Sequence, residues 1–245
     1  MSYCKPSSFK LPALISLYML LLWSNITMAQ LRPFQAMYAS QWDVGISLSG
    51  KAERSLIKTD DGSYRLTTAA SAMVASLTES SLFSYINDQI TPSHYFYQRK
   101  ILNKKRQVEV SFDWPKQQVT NTAGGSDWLM DIVPDTLDKQ SVQLRLQLDL
   151  AIIEPFEGTI YDYQVADGGK LKIHRFVAVG EDLIETPLGN YKSVRIKRDR
   201  GTSTERETWI WFAPELDYSI VRIVQKEADG KRYQIDLQQL TWLEP

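Results

Sequence analysis

Asp135-Thr-Leu-Asp-Lys-Gln-Ser-Val-Gln-Leu-Arg-Leu-Gln-Leu-Asp-Leu-Ala-Ile-Ile153 is the stretch on which the fold turns. Val142, Leu144, Leu146, Leu148 and Leu150 alternate with polar residues, the period-2 pattern of a half-buried strand. The residue types argue the other way. Most are good helix formers, and Val142 is the only β-branched residue between Leu137 and Ala151. Asp135, just after Pro134, suits an N-cap, and Asp138 takes the capping-box position. At 100° per residue the apolar side chains form two stripes. One holds Val142, Leu146, Leu150 and Ile153; the other holds Leu137, Leu144, Leu148 and Ile152. A helix with two dry stripes must be wedged between two surfaces, as inside a curved sheet. The segment therefore reads as one helix, about Asp135–Ile153.

The chain around this helix reads as β. Turn signals recur at Asp61-Gly62, Asn87-Asp88, Gly124-Gly125, Asp167-Gly168-Gly169, Pro187-Leu188-Gly189-Asn190 and Asp229-Gly230. Short segments of period-2 character lie between them. In Asn190–Arg198, Val194 and Ile196 alternate with Ser193, Arg195 and Lys197. In Arg232–Leu240, Tyr233, Ile235 and Leu237 alternate with polar partners. Thr208–Phe212 differs: Trp209 and Trp211 point one way, Ile210 and Phe212 the other. A strand apolar on both faces needs cover on both. The expected fold is mainly β, a curved antiparallel sheet or open barrel packed around one helix. With no repeat of fixed period and no Pro/Ser-rich linker, residues 30–245 read as a single domain.

Residues 1–29 read as a signal peptide. Lys5 and Lys10 make a basic start, Leu11–Trp23 is an apolar run, and Thr27-Met28-Ala29 supplies small residues for cleavage after Ala29. The run covers about thirteen residues, against the roughly 20 of a spanning helix. Export to the periplasm, with no transmembrane segment in the mature chain, is the expectation. Cys4 is the only cysteine and would leave with the leader. A thiol-free mature chain has neither disulfides nor thiolate ligands, so packing must hold it. With 43% apolar residues and a net charge of −1, no polyanion is called for, and nucleic acid is not an expected partner.

Thr91-Pro92-Ser93-His94-Tyr95 precedes a basic hairpin and then Val108-Glu109-Val110-Ser111-Phe112-Asp113-Trp114. Asp127-Trp128-Leu129-Met130-Asp131, Gly180–Gly189 and Trp209-Ile210-Trp211-Phe212-Ala213-Pro214-Glu215-Leu216 follow in order. In that order and spacing, over roughly Tyr38–Leu240, the chain resembles the exported proteobacterial family catalogued as domain of unknown function 3108. The resemblance implies a periplasmic, β-rich single domain with a helix after the Asp-Leu stretch. It implies no activity and no catalytic residue. Tyr218 is followed here by Ser219-Ile220, where the family pattern commonly has Leu-Pro.

His94 and His174 are the only histidines, with no nucleophile elbow and no ligand-like spacing beside them. No catalytic residue, metal site or cofactor is expected. Two acid groups carry the enzymatic alternative, a carbohydrate-active hydrolase with paired carboxylates. They are Asp127, Asp131, Asp135 and Asp138, and Glu181, Asp182 and Glu185; helix caps explain Asp135 and Asp138 as well. Arg99, Lys100, Lys104, Lys105 and Arg106 surround a hairpin tip. As cations beside aromatic residues they suit anionic head groups, and as edge residues they blunt a sheet. Trp114, Trp128, Trp209, Trp211, Tyr95 and Tyr97 are the residues that could line a concave face entered by an amphiphile. The expected function is non-enzymatic binding of an envelope lipid, glycolipid or lipoprotein, or of a partner protein; a purely structural role is the third reading.

Overall fold

The structure is a computed structural model that describes residues 1–2, 31–43, 45, 47–201 and 206–244. The expected leader lies outside the described residues apart from Met1 and Ser2. The first meander comprises β1 (Phe34–Asp43), β2 (Ser47–Lys58), β3 (Tyr64–Ala72), β4 (Ala75–Ile86), β5 (Gln89–Ile101), β6 (Lys104–Asp113), β7 (Gln118–Ala123) and β8 (Ser126–Asp131). Helix α1 (Ser141–Ile152) follows. The second meander comprises β9 (Ile160–Asp167), β10 (Lys170–Thr186), β11 (Gly189–Asp199), β12 (Arg206–Ala213), β13 (Ser219–Glu227) and β14 (Arg232–Trp242).

All fourteen strands form one antiparallel sheet, in the order β8 through β1, then β14 through β9. The chain thus starts in the middle of the sheet, winds out to one edge, crosses through α1 to the other edge and winds back. Pairing of β1 with β14 joins the two meanders. The turns are built as their residues require. Asn87 and Asp88 (φ 50° and 61°), and Gly124 and Gly125 (60° and 79°), supply the left-handed pairs of two-residue hairpins.

The sheet does not close into a barrel, because β8 and β9 are not paired. The segment between β8 and α1 touches both edges instead. The Ile132 amide donates to the Gln117 carbonyl at 2.8 Å, and the Leu137 amide donates to the Gln164 carbonyl at 2.9 Å. This latch corrects the expected start of the helix. Leu137 makes a parallel bridge to Val165, so no helix can begin before it. Asp135 adopts φ 63°, and Asp138 serves as the cap: its Oδ1 accepts the amides of Gln140 and Ser141 at 2.8 and 2.9 Å.

Both stripes of α1 are buried as far as Leu150, while Ile152 and Ile153 are exposed. Leu144, Leu146 and Leu150 share one core with Leu56, Leu66 and Phe83 of the first meander and Phe176, Ile196 and Phe212 of the second. Each such leucine, fully buried, contributes about 1.5–3 kcal/mol. The strict alternation of the leucines is thus consistent with a helix because almost its whole circumference is dry.

In an antiparallel meander the turns fall alternately at two ends. The β2–β3, β4–β5 and β6–β7 turns share the end filled by the core. The β3–β4, β5–β6, β7–β8, β9–β10 and β13–β14 turns share the other, where α1 does not cover the concave face. We call these the closed and open ends.

Candidate functional site

The open half of the concave face lies beyond the main core, around the start of α1, and is filled in part by a second buried cluster of Tyr95, Val110, Val119, Ile132 and Ala166. Parity along each strand decides who points inward. Leu56 and Leu66 are core residues, so Arg54 and Thr68, two positions on, face the same side. Arg54 is buried, and its Nη1 reaches Gln140 at 3.3 Å, Gln143 at 3.1 Å and Thr68 at 3.3 Å. Its Nη2 is buried with no acceptor among the described residues. Burial lowers its pKa, with Tyr38 and Glu79 opposing.

Lys139 stands between the two meanders. Its Nζ lies 3.7 Å from Glu79, 5.4 Å from the Tyr95 ring centre and 4.7 Å from that of Tyr97. The Tyr95 hydroxyl donates to Glu79, and burial followed by that carboxylate pushes its pKa far up. Across the face, Asp167 meets His174 at 3.2 Å, Lys172 at 3.5 Å and Arg198 at 4.0 Å. The His174 hydrogen bond, with Lys139 and Lys172, holds Asp167 below the usual carboxylate range. Burial pulls His174 below its ordinary value despite Asp167, so the neutral ring donates through Nε2.

Arg200 is pulled down to about 10 by burial and by its neighbours Arg198 and Arg206. The cations Arg54, Lys139, Lys172, Arg198, Arg200 and Arg206 thus outnumber the carboxylates Glu79, Asp138, Asp167 and Glu227 here. Two further donors, Asn121 Nδ2 and Arg198 Nε, are buried without an acceptor among the described residues. Half-buried apolar side chains, Ala70, Leu77, Tyr97 and Val108, continue this face toward the open end.

A family model described as "Protein of unknown function (DUF3108)" matches residues 40–238. The chain belongs to this family. Among solved structures, this DUF3108 chain is similar to a β-barrel-like protein of domain of unknown function DUF1849 from Brucella abortus. The two are 10% identical, with a TM-score of 0.58, over 88% of this chain and 99% of that one. At that identity the likeness concerns the fold alone. No curated protein matches the chain.

The aromatic residues expected to line one concave face do not stay together. Tyr95, Tyr97 and Trp128 face inward; Ser81, Tyr95, Val110, Asn121 and Trp128 form one row across β4 to β8. Trp128 covers the β9–β10 turn, so close that a Cβ on Gly169 would come within 2.5 Å of its indole nitrogen. Trp114 lies at the closed end. It stacks on Phe112 at 5.7 Å, donates to the Pro92 carbonyl at 2.7 Å and borders a separate cavity of 230 Å³ with Gln89 and Pro134.

Trp209 and Trp211 require correction. Ile210 and Phe212 hold the core, so by parity Trp209 lies on the other face, while Trp211, beside the register shift of β12, is half-buried and packs against the core's edge. Their cover comes from the sheet itself. Lys197 and Lys226 lie 6.0 and 5.8 Å from Trp209, and the Trp211 indole donates to Asp182 at 2.7 Å.

The two acid groups are each engaged locally. Asp127 and Asp131 alternate with the inward Trp128 and Met130, and Asp131 accepts from Gln118 at 3.0 Å. Asp135 accepts from Gln89, while Asp138 caps α1. Glu181 pairs with Lys192 at 2.7 Å, and Asp182 with Arg195 at 3.1 Å. Neither described cavity is lined by two of these acids.

Arg99, Lys100, Lys104, Lys105 and Arg106 all sit exposed at the β5–β6 tip on the rim of the open end. Sequence reasoning did not single out Arg54, Glu79, Lys139, Arg198 or Arg200 for this site. Parity could have found two of them. Arg54 continues the Leu56 face, and Arg198 continues the face of Val194 and Ile196.

Proposed function

We propose that the chain is a non-enzymatic cell-envelope protein that binds an anionic amphiphile in the open half of its concave face. One observation carries the reading. Three buried donors on the inner faces of β2, β7 and β11, Arg54 Nη2, Asn121 Nδ2 and Arg198 Nε, have no acceptor among the described residues, and cations outnumber carboxylates on this face. A buried donor without an acceptor costs about 1–3 kcal/mol, more when charged. A phosphate or carboxylate head would supply acceptors and balance the charge. The half-buried side chains of Tyr97, Ala70, Leu77 and Val108 offer apolar cover to the adjoining chain. The leader expected from the sequence makes envelope lipids, glycolipids and lipoproteins the available ligands.

Native mass spectrometry of protein recovered from its producing cells tests the reading. It expects an anionic lipid or glycolipid adduct in the wild type and its loss in Lys139→Glu, which sets a second carboxylate beside Glu79. Absence of any adduct, together with no uptake of added phosphatidylglycerol, would sink it.

A further inference from the structure

The two turns at the open end that connect β3 to β4 and β5 to β6 break the rule that hairpin tips are polar. Met73 and Val74 make the first and Leu102-Asn103 the second. Met73 is 88% exposed, Val74 51%, Ile101 42% and Leu102 64%. Three other turns at the same end read Gly124-Gly125, Gly168-Gly169 and Asp229-Gly230, with no apolar side chain at the tip. Leu102 moreover holds φ 51°, a conformation that suits Gly or Asn and strains a Leu. The tips are fixed to each other by the Leu102 amide, which donates to the Val74 carbonyl at 2.8 Å.

Charge around the tips is equally one-sided. Arg99 lies directly opposite Arg106, and Lys100 opposite Lys105. Like charges facing each other across a hairpin destabilise it. Among the described residues none of these four, nor Lys104, forms an ion pair. A cleft of 700 Å³ between the tips, lined by Lys51, Lys100, Met73 and Leu102 among others, adds a cationic recess beside the apolar residues.

We infer that the β3–β4 and β5–β6 tips form a docking edge for an anionic lipid bilayer. Met73, Val74, Ile101 and Leu102 enter the acyl boundary, and the surrounding Lys and Arg side chains meet the head groups. Apolar side chains ringed by cations are what an interfacial anchor requires, and the cations add attraction to anionic lipid. Neutral lipid would leave the paired like charges unrelieved, which is why the partner is an anionic surface. The inference stands on the tips alone and does not require the concave-face ligand. Were both to hold, the open half of the face would be turned toward the bilayer.

Co-sedimentation with vesicles tests it, using phosphatidylcholine alone and phosphatidylcholine mixed with phosphatidylglycerol. The chain is expected to sediment with the mixed vesicles, to be released by salt and to ignore the neutral ones. Two double variants should weaken binding on the order of tenfold or more. They are Met73→Ser with Leu102→Asn, and Lys105→Glu with Arg106→Glu. Neither should lower the urea midpoint, because Asn suits the Leu102 backbone and the two glutamates face Lys100 and Arg99. Failure to bind anionic vesicles, or variants that bind like the wild type, overturns the inference. Equal binding to neutral vesicles would show attachment through another segment and also overturns it. So would a wild type that self-associates through the tips while the Met73→Ser, Leu102→Asn variant is monomeric.

Discussion

The Ser81 hydroxyl on β4 donates to Oδ2 of Asp138 at 2.5 Å, and this contact fastens the start of α1 to the first meander. The other carboxylate oxygen takes the two amides that begin the helix. One buried side chain therefore sets both the helix start and its depth in the sheet. Lys139, the next residue, is placed between Glu79 and the Tyr95 and Tyr97 rings by the same contact.

Burial raises Asp138 from the ordinary aspartate value to about 6, although Ser81 and the helix amides oppose the shift. Below about pH 4 the group is protonated in both folded and unfolded chains, and its contribution to stability is fully present. Between pH 4 and 6 the unfolded chain ionises first, and roughly 3 kcal/mol is lost as pH rises. Asp138→Asn keeps an acceptor for the two amides and is expected to remove this loss. Asp138→Ala removes the cap as well and should cost about 1–2 kcal/mol relative to Asn at pH 4. Urea denaturation across pH 4 to 7 measures both.

His174 has the opposite sign. Its folded pKa lies below the ordinary 6.5, so its contribution is complete above that value and lost as pH falls. In the wild type the two effects oppose each other between pH 6 and 4. His174→Gln, which can still donate to Asp167, should unmask the rise from Asp138: its urea midpoint increases on acidification. In Asp138→Asn the midpoint should decrease instead. Parallel curves for the two variants would contradict these assignments.

Trp128 on β8 lies against the β9–β10 turn of the second meander, and Gly169 makes room for it at φ 73°. Gly169→Ala combines that backbone with a sub-van-der-Waals contact and is expected to cost about 2 kcal/mol or more. Gly168→Ala, at φ 64° with nothing nearer than Lys172 Nζ at 3.7 Å, should cost only about 1 kcal/mol. Acrylamide quenching should rise for Gly169→Ala alone.

Arg54 is retained at a cost, since burial opposes its charge and one nitrogen has no acceptor among the described residues. Arg54→Met fills similar volume without a charge to desolvate. It is expected to leave thermal stability unchanged or raise it by about 1 kcal/mol, in line with replacement of other buried ionic groups. Amphiphile retention should fall in the same variant. A large destabilisation would assign Arg54 a structural role instead.

Much of this fold was legible. Alternation in β11 and β14 and the paired turn residues gave the sheet, and helix-forming residue types gave α1 against its own strand-like periodicity. The start of the helix was not legible, because the bridge from Leu137 to Val165 is a tertiary contact to β9, on the far side of α1. The Met73-Val74 turn carried no turn signal at all. Local rules fail at that position, and such failures mark sites kept for something other than folding. The placement of the aromatic side chains was legible only in part. Tyr95, Tyr97 and Trp128 share the inner face; alternation already set Trp209 and Trp211 opposite Ile210 and Phe212, but which of those two faces meets the core is decided by tertiary packing. Lys139 had no signal in sequence, since only tertiary packing sets it beside two rings and a carboxylate.

Titration calorimetry with lysophosphatidylglycerol tests the concave-face assignment most directly. Wild type and the Met73→Ser, Leu102→Asn tip variant should bind with equal affinity, because the tips lie outside the concave site. Lys139→Glu should bind at least about tenfold more weakly, reflecting a lost charge-assisted contact and an added carboxylate. Equal affinity of Lys139→Glu and wild type, with both proteins folded, would contradict the account.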